Sequence, residues 1–201
     1  PTGTCLILIT PDSERTMCTF LGTAGKINEN DVDVNAVKNS EITFLEGYLW
    51  DEGAPKKAFD KAIQNANKVA MSLSDLFCVE RHKPHFLDLV KNKLDITFAN
   101  EQEITSLIDA KSFEDVVTFG KKLRKLIVIT RGEKGSIAIN EDQVIESGIQ
   151  KNLKIVDLTG AGDLFAAGFL HGHVNNLSIK ESLEKGTEMS SKVIQQIGAR
   201  I

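Results

Sequence analysis

Gly160-Ala161-Gly162-Asp163, within "DLTGAGDLFAAGF" (Asp157–Phe169), sets three small residues directly before an acid and an apolar run. Small residues serve where a partner must approach the main chain or where a Cβ would clash in a turn. With "KIVD" ahead of it and a helix-like run behind, the stretch has the layout of an anion site. The first N–H groups of a helix have no partner within it, and the helix dipole adds about half a positive charge there. With Gly160, Ala161 and Gly162 in the turn, a phosphate could reach main-chain nitrogens without striking a side chain. Asp163 then has two readings. As a first-turn carboxylate it could cap the helix, worth about 1 kcal/mol. Beside a bound phosphate it could instead take the proton of an attacking hydroxyl, because an ionised acid adds nothing to the mere binding of an anion.

Magnitudes constrain that second reading. An unperturbed Asp titrates at about 3.9 and a water-like hydroxyl at about 15.7. The proton must therefore leave late, as oxygen bonds to phosphorus, which suits the loose transition state of phosphoryl transfer. Such proton acceptance contributes about 10²–10⁴ in rate; positioning and anion stabilisation must supply the rest. Two other phosphate motifs fail. A GxGxxG fingerprint would need glycine at 165, where the chain has Phe165. A Walker A loop would need glycine five residues before "GK", where Phe20 and Asp115 stand.

The elements that must position this stretch follow from periodicity. Cys5–Thr10 and Thr16–Leu21 are β-rich runs around Pro11-Asp12-Ser13-Glu14, a hairpin signal. Glu41–Trp50 reads as a strand running into a loop. "APKKAFDKAIQNANKVAM" spaces Ala58, Ala62, Ile63, Ala66, Val69 and Ala70 as one helical face, with Pro55 suited to a first turn. Then "VAMSLSD" reads as strand, "KPHFLDLVKN" as helix, "LDITFAN" as strand, and "EQEITSLI" and "SFEDVVTFGKKL" as helices. "KLIVIT" is apolar enough for a strand buried on both faces. "GSIAIN" and "DQVIES" form a hairpin. Ser178 and Glu181 make a capping box for a last helix ending near Gly198. This alternation predicts an α/β fold with a mostly parallel sheet flanked by helices, in a single domain over residues 1–201.

Composition narrows the class. The chain has 201 residues, 41% hydrophobic and 26% charged, which reads as soluble and globular. A net charge of −4 carries no basic footprint of a nucleic-acid binder. Cys5, Cys18 and Cys78 are too few and scattered for a disulfide framework, which favours a reducing, cytoplasmic setting. No apolar run approaches the roughly 18 residues of a membrane span, and no membrane partner is expected. His171 and His173, and His82 and His85, lack neighbouring ligand types and are expected to pack or face solvent rather than bind metal. Gly168 and Ala167 are expected to permit close helix packing. Arg15 follows the first hairpin's turn as a solvated charge or part of a lid.

"DLTGAGDLFAAG" resembles the second signature of the ribokinase-like (PfkB) carbohydrate kinases, commonly D-T-x-G-A-G-D. "NEQE" (Asn100–Glu103) is similar to the family's N-x-x-E, "TRGEKGS" (Thr130–Ser136) to its T-x-G-x-x-G turn, and "QIGAR" to a stretch near its C-terminus. The resemblance covers essentially the whole chain. "GTCLILITPDSERTM" and "LEGYLWD" look most like members labelled adenosine kinase or sugar kinase.

It implies an ATP- and Mg²⁺-dependent kinase acting on a hydroxyl of a sugar or nucleoside. Asp163 would be the base, with Gly160, Ala161 and Gly162 as the anion hole for the γ-phosphate. Asn100 and Glu103 would organise Mg²⁺ and phosphates, Glu103 through water. Thr130, Gly132 and Gly135 would meet the nucleotide, with the end of the last helix, Gln195 to Gly198, beside the adenine. Asp157 and Thr159 match positions that in some members hold a monovalent cation such as K⁺, although Leu158 stands where Thr is usual. Tyr48 and Trp50 are candidates for a substrate wall. Blander readings stand beside these: Asn100 as a helix cap, "TRGEKGS" as an ordinary turn, Tyr48 and Trp50 as packing.

Nothing matches the family's earlier G-G-x-x-x-N signature, so about the first third of the family's length is expected to be missing, with the leading hairpin on the lid or substrate side. The alternative function is an incomplete fragment that binds nucleotide without catalysis. The 201 residues alone are expected to turn over poorly or not at all, and clear ATP-dependent turnover by that piece would contradict this. Specific acceptor and oligomeric state, a homodimer included, stay open.

Overall fold

The computed structural model describes residues 1–201. Its strands are β1 (Thr4–Ile9), β2 (Arg15–Phe20), β3 (Thr43–Glu46), β4 (Val69–Ser72), β5 (Ile96–Asn100), β6 (Leu126–Thr130), β7 (Ser136–Ile139) and β8 (Val144–Ser147). The helices are α1 (Val34–Asn39), α2 (Ala54–Asn65), α3 (Leu76–Asn92), α4 (Glu101–Leu107), α5 (Phe113–Leu123), α6 (Ala161–Val174) and α7 (Ile179–Val193). β1 and β2 form a separate antiparallel hairpin, and the larger sheet has the order β3-β4-β5-β6-β7-β8. β3, β4 and β5 pair in parallel, with Thr43 opposite Val69 and Ala70 opposite Ile96. The fold is α/β with a mostly parallel sheet flanked by helices, as the alternation predicts.

The chain divides into two compact units. One comprises Gly22–Ile129 and Ile139–Val144. Its core is apolar because β4 and β6 read as near-continuous aliphatic runs: Ala70, Met71, Ile127 and Ile129 are all fully buried. Val79, Phe86, Val90, Ile104, Leu107 and Val116 from α3, α4 and α5 complete it. Several boundaries differ from the periodicity reading. α2 stops at Asn65, so Val69 and Ala70 belong to β4 and not to the helical face. β3 covers only Thr43–Glu46; a 3-10 turn at Gly47–Leu49, closed by Trp50 N donating to Gly47 O (3.0 Å), ends it and turns Trp50 inward. α3 begins seven residues before "KPHFLDLVKN", at the Asp75 cap, and kinks at His82 (φ −117°, ψ 20°) ahead of Pro84. Proline has no N–H to give the preceding turn, so the helix bends there rather than ending. Cys78 on α3 is buried, and burial first, then the charge of Asp75 and its hydrogen bond, push its thiol up to about 12.

The other unit comprises Pro1–Leu21, Thr130–Ala138 and Ile145–Ile201. Its core is the α6–α7 pair, where Phe165, Ala166, Phe169, Leu183 and Val193 are buried. Ser178 and Glu181 cap α7 reciprocally. Ala167 is exposed and takes no part in the packing, whereas Gly168 is buried against α7. His173 stacks on Phe169 at 6.1 Å. The chain contains no helix long and apolar enough to cross a membrane.

A Cβ on Gly168 would lie 2.5 Å from Lys185 O and 2.9 Å from Gly186 Cα, both main-chain atoms that cannot rotate away. Gly168→Ala is therefore expected to lower unfolding free energy by about 1–3 kcal/mol, as overpacking does, despite alanine's better helix propensity. Urea denaturation checks this, and an unchanged or raised midpoint would refute the contact.

Candidate active site

α6 starts one residue after Gly160, which holds a left-handed conformation (φ +79°). A Cβ at Gly160 would lie 2.8 Å from Ala199 Cβ, so the turn needs glycine for backbone shape and for close approach. Ala161 N donates back to Leu158 O (3.2 Å) and Leu164 N to Gly160 O (2.9 Å). That leaves the N–H groups of Gly162 and Asp163 without a protein acceptor. Gly162 is exposed, with nothing within 4 Å of where its Cβ would stand. Open amides on an unobstructed helix start can hold an anion. Asp163 is exposed, and it caps no N–H and joins no ion pair. The helix cap reading of this carboxylate is thus not realised.

Behind the turn, Asp157 is 1% exposed. Its Oδ1 accepts from Thr159 N (2.8 Å) and Thr159 Oγ1 (2.6 Å), and its Oδ2 accepts from Gly198 N (2.9 Å). Burial pushes its carboxyl up, but these bonds and the charge of Arg15 outweigh burial and hold it below the ordinary value. With three protein donors on Asp157, this pair fastens the loop. Val156 N and Asp157 N also donate to Ile194 O (2.8 and 3.3 Å), so residues 194–199 run as a strap alongside the turn. Gln195 is exposed and bonds Ser191 O through Nε2 (2.9 Å).

In the same unit, Thr130 ends β6 and leads into a 3-10 turn at Gly132–Lys134, with Arg131 N donating to Gly135 O (2.8 Å). Gly132 is exposed, whereas Gly135 is buried against Ser147 and Gly148. Of the two glycines only Gly132 offers its backbone to a ligand.

Asn100, Glu103, Tyr48 and Trp50 lie in the other unit. Asn100 caps α4 in a reciprocal box: Asn100 Oδ1 accepts from Glu103 N (2.8 Å). Glu103 in turn accepts from Asn100 N (2.8 Å) and Asn100 Nδ2 (2.7 Å). Glu103 is 5% exposed, and burial pushes it up to about 7; the Asn100 bond opposes this and the charge of Asp75 adds to it. No group of three His, Cys, Asp or Glu converges to cage a metal. Hard oxygen donors already engaged by a cap fit a hydrated Mg²⁺ held through water, and not direct ligation. Tyr48 is 46% exposed, but Trp50 is 3% exposed, packed at 4.6 Å from His82, 4.8 Å from His85 and 6.0 Å from Phe86. Only Tyr48 of that pair presents a ring to solvent.

Ile197, within the Gln195–Gly198 stretch expected beside the adenine, is 76% exposed and stands out from the strap. One residue escaped sequence reasoning. Ser13 bonds to the segment ahead of the anion turn, a contact across 142 residues that leaves no trace in spacing.

A sequence profile described as "pfkB family carbohydrate kinase" matches residues 1–201. The adenosine kinase of Dictyostelium discoideum is 29% identical over 100% of this chain and 64% of its own length. The crystal structure of adenosine kinase from Sinorhizobium meliloti superposes with a TM-score of 0.96 at 37% identity, over 100% of this chain and 63% of that one. A probable sugar kinase from Rhizobium etli gives 0.95 at 36%, over 100% and 62%. The chain thus spans just under two thirds of the length of these relatives.

Glu103 has a pH signature. A carboxyl raised from 4.5 to about 7 on folding favours the folded state below 4.5, and that contribution disappears as pH rises through 7. At about 1.4 kcal/mol per pH unit, the unfolding free energy of wild type relative to Glu103→Gln is expected to fall by about 3 kcal/mol between pH 4.5 and 8. Urea titrations at both pH values measure it, and a pH-independent difference would exclude the buried titration.

Proposed function

The chain belongs to the pfkB family of carbohydrate kinases, and from that premise we propose that it transfers the γ-phosphate of ATP to a hydroxyl of a sugar or nucleoside. The observation that carries the reading is the exposed, unpaired Asp163 carboxylate beside the unpartnered amides of Gly162 and Asp163 at the start of α6. In this reading the amides draw the charge of the migrating phosphoryl group toward the positive end of α6. Asp163 accepts the acceptor's proton as its oxygen closes on phosphorus, and the departing ADP carries the other half of the broken P–O bond.

Mg²⁺ would supply charge neutralisation on the nucleotide phosphates. Glu103, with Asn100 fixing its carboxylate, is the residue that would hold its waters. Thr130 and Gly132 would meet the nucleotide, and Gln195, Ile197 and Gly198 would border its base. Tyr48 would offer a ring to the acceptor. The names of the relatives, adenosine kinase and sugar kinase, bracket the acceptor class.

The test compares the full-length protein with its Asp163→Asn form for transfer from labelled ATP to adenosine, ribose and fructose. Loss of the base is expected to lower kcat by about 10²–10⁴, with stability changed by no more than the roughly 0.3–1 kcal/mol of a first-turn charge, because the carboxylate makes no hydrogen bond or ion pair. Equal rates in the two forms would remove Asp163 from the chemistry.

A further inference from the structure

Hairpin β1–β2 leaves both faces in solvent, with Leu6 at 64% and Phe20 at 61% exposure on one and Met17 at 50% on the other. The hydrogen bonds that join it to the rest of its unit are both made by one residue of its turn. Ser13 Oγ donates to Ile155 O (3.2 Å), and Ser13 O accepts from Leu158 N (3.3 Å). These two bonds bracket the four residues that lead into Thr159 and Gly160. Leu158 is itself the hinge of the anion turn: its N–H goes to Ser13 and its carbonyl accepts from Ala161 N (3.2 Å). A single residue, Leu158, thus links the hairpin's turn to the first amide of α6.

Ser13 is also held in a conformation that serine seldom adopts, at φ +67°. Its neighbours over-determine it. Ser13 N donates to Thr10 O (2.8 Å), Thr10 N to Glu14 O (2.9 Å), and the Asp12 carboxylate accepts from the Thr10 hydroxyl and from Glu14 N. Strained backbone persists where the surroundings enforce it, and such sites cluster where geometry matters to function. The turn is therefore a stiff knuckle, and what it grips is the lead-in to the anion turn.

We propose that Ser13 is a positioning residue for phosphoryl transfer: by fixing Ile155 and Leu158 it sets where the amides at the start of α6 and the Asp163 carboxylate stand. The inference rests on the kinase reading of Asp163, and it adds a residue from the opposite end of the chain to that site. Small misplacements at a reacting centre are costly, with roughly 1 Å worth up to about 10²-fold in rate. Loosening one of two tethers should cost less than that.

The experiment uses the full-length protein with two substitutions. Ser13→Gly keeps the left-handed turn and its carbonyl but removes Oγ, whereas Ser13→Asn tolerates the same backbone and restores a side-chain donor. Ser13→Gly is expected to lower kcat about 10-fold with acceptor KM within about twofold, and Ser13→Asn to recover most of the loss. Amide exchange at Leu158, followed without nucleotide, is expected to quicken about 10-fold in Ser13→Gly and return toward wild type in Ser13→Asn. Exchange reads the tether whether or not phosphate is transferred, so an inactive wild type would sink the kinase reading while the tether is still measured. Wild-type kcat and exchange in Ser13→Gly would overturn the proposal. So would equal losses of kcat, acceptor binding and melting temperature in both variants, because that pattern marks a structural role alone.

Discussion

A carboxylate removed from water is costly unless its oxygens are matched by donors, and Asp157 is matched three times over. It takes two bonds from Thr159 and one from Gly198, so one buried charge joins the loop before α6 to the strap after α7. The two places lie far apart in sequence, and the carboxylate's hydrogen bonds, with those of Val156 N and Asp157 N to Ile194 O, make them one piece. Gly160 exploits the result: Ala199 on the strap occupies the space where its side chain would have been. Removing the carboxylate would leave the Gly198 amide and the Thr159 amide and hydroxyl without partners, and the strap would be held to the loop only by the main-chain bonds of Val156 and Asp157 to Ile194.

Much of the fold was legible in the sequence because it is local. Alternation gave the hairpin, aliphatic runs gave β4, β5 and β6, and Ser178 with Glu181 marked the start of α7 within one residue. What was not legible is decided by contacts distant in sequence. Val69 and Ala70 continue a helical stripe on paper, yet they pair with Thr43 and Ile96 across a sheet. Trp50 looked available as a ligand wall until its burial against His82 and His85 of α3 was in view. "KPHFLDLVKN" read as a complete helix, but it is the later part of a kinked one that Asp75 had already capped.

The site was partly readable for a related reason. A glycine-rich turn before an acid states its chemistry in consecutive residues, so Gly160 to Asp163 could be singled out, although Ala161's amide turned out to be spent on Leu158. Asn100 and Glu103 are harder, because the spacing that suits a phosphate or metal role is also that of a capping box. Here the box is complete and the acid is buried. The two roles are compatible, since each carboxylate oxygen keeps a further lone pair for a water.

The three cysteines divide sharply in reactivity. The thiolate is the species that attacks alkylating reagents, and a thiol pushed up to about 12 has only ~10⁻⁵ of that form at pH 7. Cys78 is therefore silent toward maleimides in the folded state. Cys5 and Cys18 are exposed, and because Cys5 pairs with Thr19 while Leu6 pairs with Cys18, they project from opposite faces of the hairpin. Among the cysteines of these 201 residues, a fluorophore would thus settle on this ribbon, an intrinsic labelling address next to the knuckle that grips the anion turn.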